Sequence, residues 1–233
     1  MEKKIERIKT GIPGLDEIIE GGFIPGSAIL ISGGAGSGKT IFCGQFLWRG
    51  LKNDEPGIYV TCEETPEDIK NDLKKFGWDF EKYEKEKKFS FLFADPFGAQ
   101  GFSMFDEADF TSRFVEEIKK IKAKRFVFDS VSVMGLYFKD VHETRRRVYM
   151  LIQALKKAGV TSLLTSEIPE GSEKLSRFEV EEFVVDGIIK LEFIPIGARA
   201  GRYLLVRKMR RTKHDENPHP IEIGENGIRV LSL

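Results

Sequence analysis

The sequence predicts an α/β protein: a mostly parallel, twisted sheet flanked by helices, with antiparallel strands at its C-terminal end. Three observations carry this. Short apolar runs rich in Val, Ile and Phe alternate with helix-period segments as far as about residue 167, as strands buried by crossover helices on both faces do. Residues 184–194 and 202–210 instead alternate apolar with polar side chains, as antiparallel strands do. A glycine-rich turn, Gly33-Gly34-Ala35-Gly36-Ser37-Gly38-Lys39-Thr40, joins the first apolar strand to the first long helix. No internal repeat or linker interrupts the chain, so one domain is expected over residues 1–233.

Each element has its own signal. Thr10-Gly11-Ile12-Pro13-Gly14-Leu15-Asp16 is turn-rich, and Leu15, Ile18 and Ile19 give one short helix stopped at Gly21-Gly22. Residues 28–32 are the first strand, and a helix runs to about Leu51 with Phe42 and Phe46 inward. Residues 57–62 form the second strand, ending in Glu63-Glu64. Thr65 then reads as an N-cap, with Pro66 in the first helical position and Asp68 in the first turn. The mixed charges of residues 81–88 read as a solvated helical face. Residues 89–93 are a strand, and 95–112 a long aromatic loop that reads as packed surface. A helix over 113–121, a strand over 125–130 ending in an acid, a helix over 142–158 and a strand over 160–167 follow. After a polar loop come the two alternating strands, joined through residues 195–201, and two short strand candidates within 221–231.

Composition narrows the function. Apolar residues make up 41% and charged residues 32%, as in a soluble globular protein. Lys+Arg and Asp+Glu are equal at 37 each, which disfavours a general electrostatic grip on nucleic acid. No run of about 18 apolar residues or signal-peptide pattern is present, so no membrane partner and a cytoplasmic location are expected. Cys43 and Cys62 are isolated, which argues against a disulfide or zinc site, and the three histidines are scattered.

The turn at residues 33–40 has the spacing G-x-x-x-x-G-K-T between strand and helix, which cradles phosphates. Its backbone amides and the helix N-terminus favour an anion. Gly34, Ala35, Gly36, Ser37, Gly38, Lys39, Thr40 and Ile41 form the expected nucleotide-binding set. Lys39 reaches the β/γ-phosphates and Thr40 holds Mg²⁺. In an open parallel sheet, ligands gather at the carboxyl ends of the strands. Asp129, at such an end, is the expected second metal holder. Glu63 or Glu64, with Glu63 favoured, is the expected base for the attacking water. Ser166 or its neighbour Thr165 is a candidate sensor of the γ-phosphate.

Together, the Thr10–Asp16 segment, the phosphate loop, Glu63-Glu64-Thr65-Pro66 and the Asp129 strand resemble the KaiC family, a branch of the RecA/RadA ATPases. The likeness covers nearly the whole chain. It implies a RecA-like P-loop NTPase core, ATP with Mg²⁺, and a ring-like homo-oligomer, six subunits by family expectation, with nucleotide between subunits. KaiC has two such domains in tandem, and this chain resembles one. The resemblance also implies that Lys208 and Arg210, in Lys208-Met209-Arg210, reach the neighbour's γ-phosphate. Thr212 and His214 match positions near the nucleotide's sugar and base.

Two departures stand out. The place of KaiC's Ser-Thr autophosphorylation pair falls on Glu182-Phe183, without a hydroxyl. The loop matching RecA's second DNA-binding loop carries Glu167, Glu170, Glu173, Glu179, Glu181 and Glu182 against Lys174 and Arg177, which repels phosphates. The expectation is an oligomeric ATPase, regulatory or signalling, that hydrolyses ATP to ADP and phosphate and meets an unknown protein partner. The competing readings are a nucleotide-gated scaffold with little turnover and a RadA-like DNA-repair accessory ATPase.

Overall fold

The computed structural model describes residues 5–94, 111–138, 140–169, 172–196 and 199–232. The chain runs α1 (Leu15–Ile18), β1 (Ala28–Gly33), α2 (Lys39–Lys52), β2 (Gly57–Thr61), α3 (Pro66–Lys74), α4 (Phe80–Lys85) and β3 (Phe89–Phe93). Then follow α5 (Ser112–Ile121), β4 (Arg125–Asp129), a 3₁₀ turn (Val131–Val133), α6 (Met134–Tyr137), α7 (Val141–Ala158) and β5 (Thr161–Glu167). The last elements are α8 (Glu181–Val184), β6 (Gly187–Ile196), β7 (Arg199–Met209), β8 (His219–Gly224) and β9 (Gly227–Val230).

Among the described residues the strands form one sheet in the order β3-β2-β4-β5-β1-β6-β7-β8-β9. Pairing is parallel from β3 to β6 and antiparallel from β6 to β9. Successive side chains on a strand point to opposite faces, so β1 serves two cores. Ile29 and Ile31 pack with Phe42, Phe46, Tyr59 and Leu73 on the α2 side. Ala28 and Leu30 pack with Phe114, Phe126, Leu151 and Leu155 on the α5 and α7 side. The fold is the expected α/β sheet with antiparallel C-terminal strands.

Local signals act where expected. The Thr65 hydroxyl accepts from the Asp68 amide and caps α3, a bond that contributes about 1 kcal/mol. Arg125 is fully buried where β4 begins. It donates from Nε to Glu55 at 2.6 Å and from one terminal nitrogen to the Phe46 carbonyl at 2.7 Å, which fastens β4 to α2.

Two differences have physical causes. The connection expected over 195–201 is shorter, because pairing of Pro195 with Ala200 and Ile196 with Arg199 extends both strands. Pro195 lies beyond Leu191, the last residue of β6 paired with β1, so its missing N–H breaks no ladder on that side. The four-residue helices α6 and α8 were not expected: one turn shows little helical period, and neither is followed by a glycine pair like the Gly21-Gly22 that marks α1. Residues 95–110 of the expected aromatic loop lie outside the described residues.

Candidate active site

The phosphate loop leaves β1 at Gly33 and enters α2 at Lys39. Gly36 and Gly38 have φ of 70° and 103°, values that glycine adopts without strain. A Cβ on Gly38 would also meet Ile223 at 3.2 Å. As N-cap of α2, Gly38 has no side chain with which to satisfy the helix's first amides, which leaves them for a ligand. The Lys39 ammonium is held on the loop itself, donating to the carbonyls of Gly33 at 3.0 Å and Gly34 at 2.9 Å. It also lies 3.7 Å from the Glu167 carboxylate. The Ser37 hydroxyl is buried without a hydrogen-bond partner.

Beside the loop lies a cleft of about 510 Å³. Ala35, Gly36, Gly38, Lys39, Thr40 and Ile41 line one side, and Glu63, Glu64, Asp129 and Glu167 line its acidic end. Ile69 and Leu73 of α3 and Phe76 just past its end extend it as a mainly apolar wall, interrupted by Asp72 and Lys75. The phosphate loop and the four acids from three strand ends thus meet in one place. The route differs from simple adjacency, because β4 and β5 separate β2 from β1. Glu63 and Glu64 reach the cleft from the turn after β2, where the Thr61 hydroxyl donates to the Glu64 carbonyl at 2.7 Å.

Asp129 is held by three hydroxyls. Thr40 donates to Oδ2 at 3.2 Å, Tyr59 to the same oxygen at 2.6 Å, and Thr165 to Oδ1. Burial, then the Asp129 charge, pushes the Tyr59 phenol well above its ordinary range, so it acts as a donor. Thr165 and Ser166 separate by the alternation of the strand. Ser166 is fully buried, donates to Glu181 at 3.2 Å and accepts from the Arg177 amide at 2.9 Å. Of the two candidate sensors, only Thr165 therefore bonds within the acid cluster.

Burial raises Glu63 above the usual glutamate range, and the Glu167 and Asp129 charges add to this against the opposing pull of Lys39. Glu64 is raised by burial, then by Asp129. Both acids therefore hold a proton more readily than an exposed glutamate does.

A family model described as "ATPase: KaiC" matches residues 8–233. The chain belongs to the KaiC ATPase family. A UPF0273 protein of Pyrococcus furiosus is 40% identical, over 97% of this chain and 94% of its own length. The circadian clock oscillator protein KaiC of Prochlorococcus marinus is 36% identical over all of this chain, which spans 46% of that protein's length. The crystal structure of a KaiC-like protein from Pyrococcus horikoshii has a TM-score of 0.88 at 41% identity, covering 98% of this chain and 100% of that one. A KaiC-family ATPase domain implies nucleotide binding.

The donor set of this KaiC-type cleft suits a magnesium nucleotide. Among the described residues no group of three or more His, Cys, Asp and Glu is placed to hold a metal. A cation there would be shared between Thr40, Asp129 and phosphate oxygens, the usual mode for Mg²⁺.

The late basic residues lie elsewhere. Met209 pairs with Gly187, Gly187 with Ile29, and the Arg210 amide bonds the Asp186 carbonyl. Arg210 therefore stands level with Ala28, at the amino end of β1. The phosphate loop leaves the other end, about 16 Å away at ~3.3 Å per residue. Lys208 donates to the carbonyls of Glu182 at 2.7 Å and Val185 at 2.8 Å, and burial, then Arg210, lowers its pKa. Arg210 is half exposed, 3.6 Å from Asp186. The Thr212 hydroxyl accepts from Arg7 at 2.6 Å, and His214 Nδ1 lies 3.4 Å from the Thr212 carbonyl. None of these four residues lines the cleft.

Sequence reasoning missed Tyr59, the apolar wall of α3 and the contact of Glu167 with Lys39. Tyr59 left one usable signal: a phenol inside a fully buried strand needs a hydrogen-bond partner.

Proposed function

We propose that this chain is an oligomeric, regulatory ATPase that hydrolyses ATP to ADP and phosphate in a site completed by a neighbouring subunit. The carrying observation is the separation just described. The loop, Lys39 and the carboxylates share one cleft, while Lys208 and Arg210 sit at the opposite end of the sheet. The loop amides and Lys39 bind the phosphates, with Lys39 leaving the loop carbonyls for the phosphate oxygens. The apolar wall of α3 offers a surface for the base. Thr40 and Asp129 would hold Mg²⁺, which when bound supplies charge neutralisation on the phosphates.

Glu63 takes a proton from water as the water oxygen bonds the γ-phosphorus and the bond to the β–γ bridging oxygen breaks, releasing ADP. Lys208 and Arg210 of one copy meet the γ-phosphate of the next, with Thr212 and His214 near its sugar and base. A guanidinium supplied in trans stabilises the charge of the transferring phosphoryl group. Nucleic acid remains a disfavoured ligand, since Lys174 in the acidic loop is paired with Glu179 at 2.6 Å.

The test mixes two variants that are each inactive alone, Lys39→Ala and Arg210→Ala. Some mixed interfaces then hold an intact Lys39 opposite an intact Arg210, and hydrolysis recovers. Mixed assembly without any recovery overturns the shared site.

A further inference from the structure

The carboxylate at the end of β4 is gripped from both neighbouring strands. Tyr59 comes from β2 and Thr165 from β5, and these strands flank β4 in the sheet. The register sets Thr61 beside Asp129, so Tyr59 lies two residues earlier on the same face and its long side chain spans the difference. Its ring is fully buried and packs on Phe91 at 5.3 Å between centroids, which limits its movement. Its hydroxyl meets Asp129 Oδ2 at 2.6 Å, the oxygen that also accepts from Thr40. Thr165, also fully buried, occupies Oδ1.

We propose that Tyr59 and Thr165 are positioning residues for the metal-holding carboxylate, a role that rests on the magnesium-nucleotide reading above. Two anchored hydroxyls fix the torsion of Asp129 so that its acceptor lone pairs are presented beside Thr40. The role moves Thr165 from γ-phosphate sensing to the support of Asp129. Hydrogen bonds to a metal-holding side chain commonly change metal affinity by 10–100-fold when lost.

The assignment is tested by binding ADP and ATP to the intact protein at varied Mg²⁺, and again in EDTA, with thermal stability followed in parallel. Tyr59→Phe and Thr165→Val should each raise the Mg²⁺ concentration at half-effect about tenfold. The shift should appear with both nucleotides and leave metal-free binding unchanged. Thr165→Ser, which keeps the hydroxyl, should restore the wild-type requirement. A γ-phosphate sensor behaves differently: Thr165→Val would then weaken binding of ATP and spare ADP, which overturns the role of Thr165. An unchanged Mg²⁺ requirement in Tyr59→Phe, beside a metal-dependent wild type, overturns the role of Tyr59. A wild type whose nucleotide binding ignores Mg²⁺ overturns the metal reading itself, and this proposal with it.

Discussion

The two ends of the central sheet are built differently. At the carboxyl ends of β1, β2, β4 and β5, polar groups satisfy one another inside one chain: Lys39 on the loop carbonyls, and Thr40, Tyr59 and Thr165 on Asp129. Four carboxylates, of Glu63, Glu64, Asp129 and Glu167, line the cleft with Lys39 there. At the other end, Lys208 and Arg210 bond main-chain carbonyls of residues 182–185, with Asp186 nearby. Main-chain carbonyls aim these cations, and Asp186, the carboxylate beside Arg210, is shared with Lys156 at 2.6 Å. On the proposed function, the first end would bind a polyanion and a cation, and the second would present positive charge to a neighbouring copy. The difference teaches why, in the shared site proposed above, assembly would control turnover: binding groups would belong to one chain, and charge for the transition state would come from another.

The comparison breaks most visibly at Arg210. Arg210→Ala should lower turnover about 10³-fold, the lower range for a cation supplied in trans, while nucleotide affinity changes little. Single-turnover hydrolysis beside equilibrium binding separates the two effects. A comparable loss of binding would place Arg210 in ground-state recognition instead.

Next comes the acid pair. Glu63→Gln should cost about 10²-fold or more in turnover, as expected for loss of a general base, with Glu64→Gln costing less. The reverse order would reassign the base to Glu64.

The pH dependence sharpens the same point. As the proposed base Glu63 would work ionised, and its pKa stands above the ordinary value, first through burial and then through Glu167. Activity should therefore fall on acidification at a higher pH than an exposed glutamate would give. Glu167→Gln removes one repelling charge, so the acid limb of kcat/KM should move to lower pH. It should move only part of the way, because burial persists. A limb that stays in place would remove Glu167 from the electrostatics of the base.

The smallest effect concerns the scaffold. Thr65→Ala should cost about 1 kcal/mol of stability by urea unfolding, with hydrolysis much less altered than in Glu63→Gln. A loss of turnover as large as that of Glu63→Gln would show that the α3 cap also sets the position of the acids.

Much of the candidate site was legible because its signals are short. The phosphate loop occupies consecutive residues, Thr65 caps a helix three residues on, and acids end apolar runs. The missing parts are long-range. Tyr59 and Asp129 are 70 residues apart in the chain, and Thr165 and Asp129 are 36 apart. No local pattern encodes either meeting. Between Thr165 and Ser166, sequence offered no choice, because one residue of register decides which faces Asp129. The four-residue helix α8 was equally silent, yet its backbone and that of Val185 just after it carry the carbonyls that hold Lys208 and Arg210.

By itself, the sequence determined the phosphate loop, the α/β alternation, the strand-end acids and the family, since these reside in local spacing and in ordered motifs. Tertiary structure alone decided that two strands stand between β1 and β2, that Asp129 is gripped from both sides, and that Lys208 and Arg210 lie a sheet's length from their own loop. The physical reason is that strand order and register are set by pairing between distant segments. Local propensity selects each element's type, and only the assembled sheet gives each side chain its neighbours.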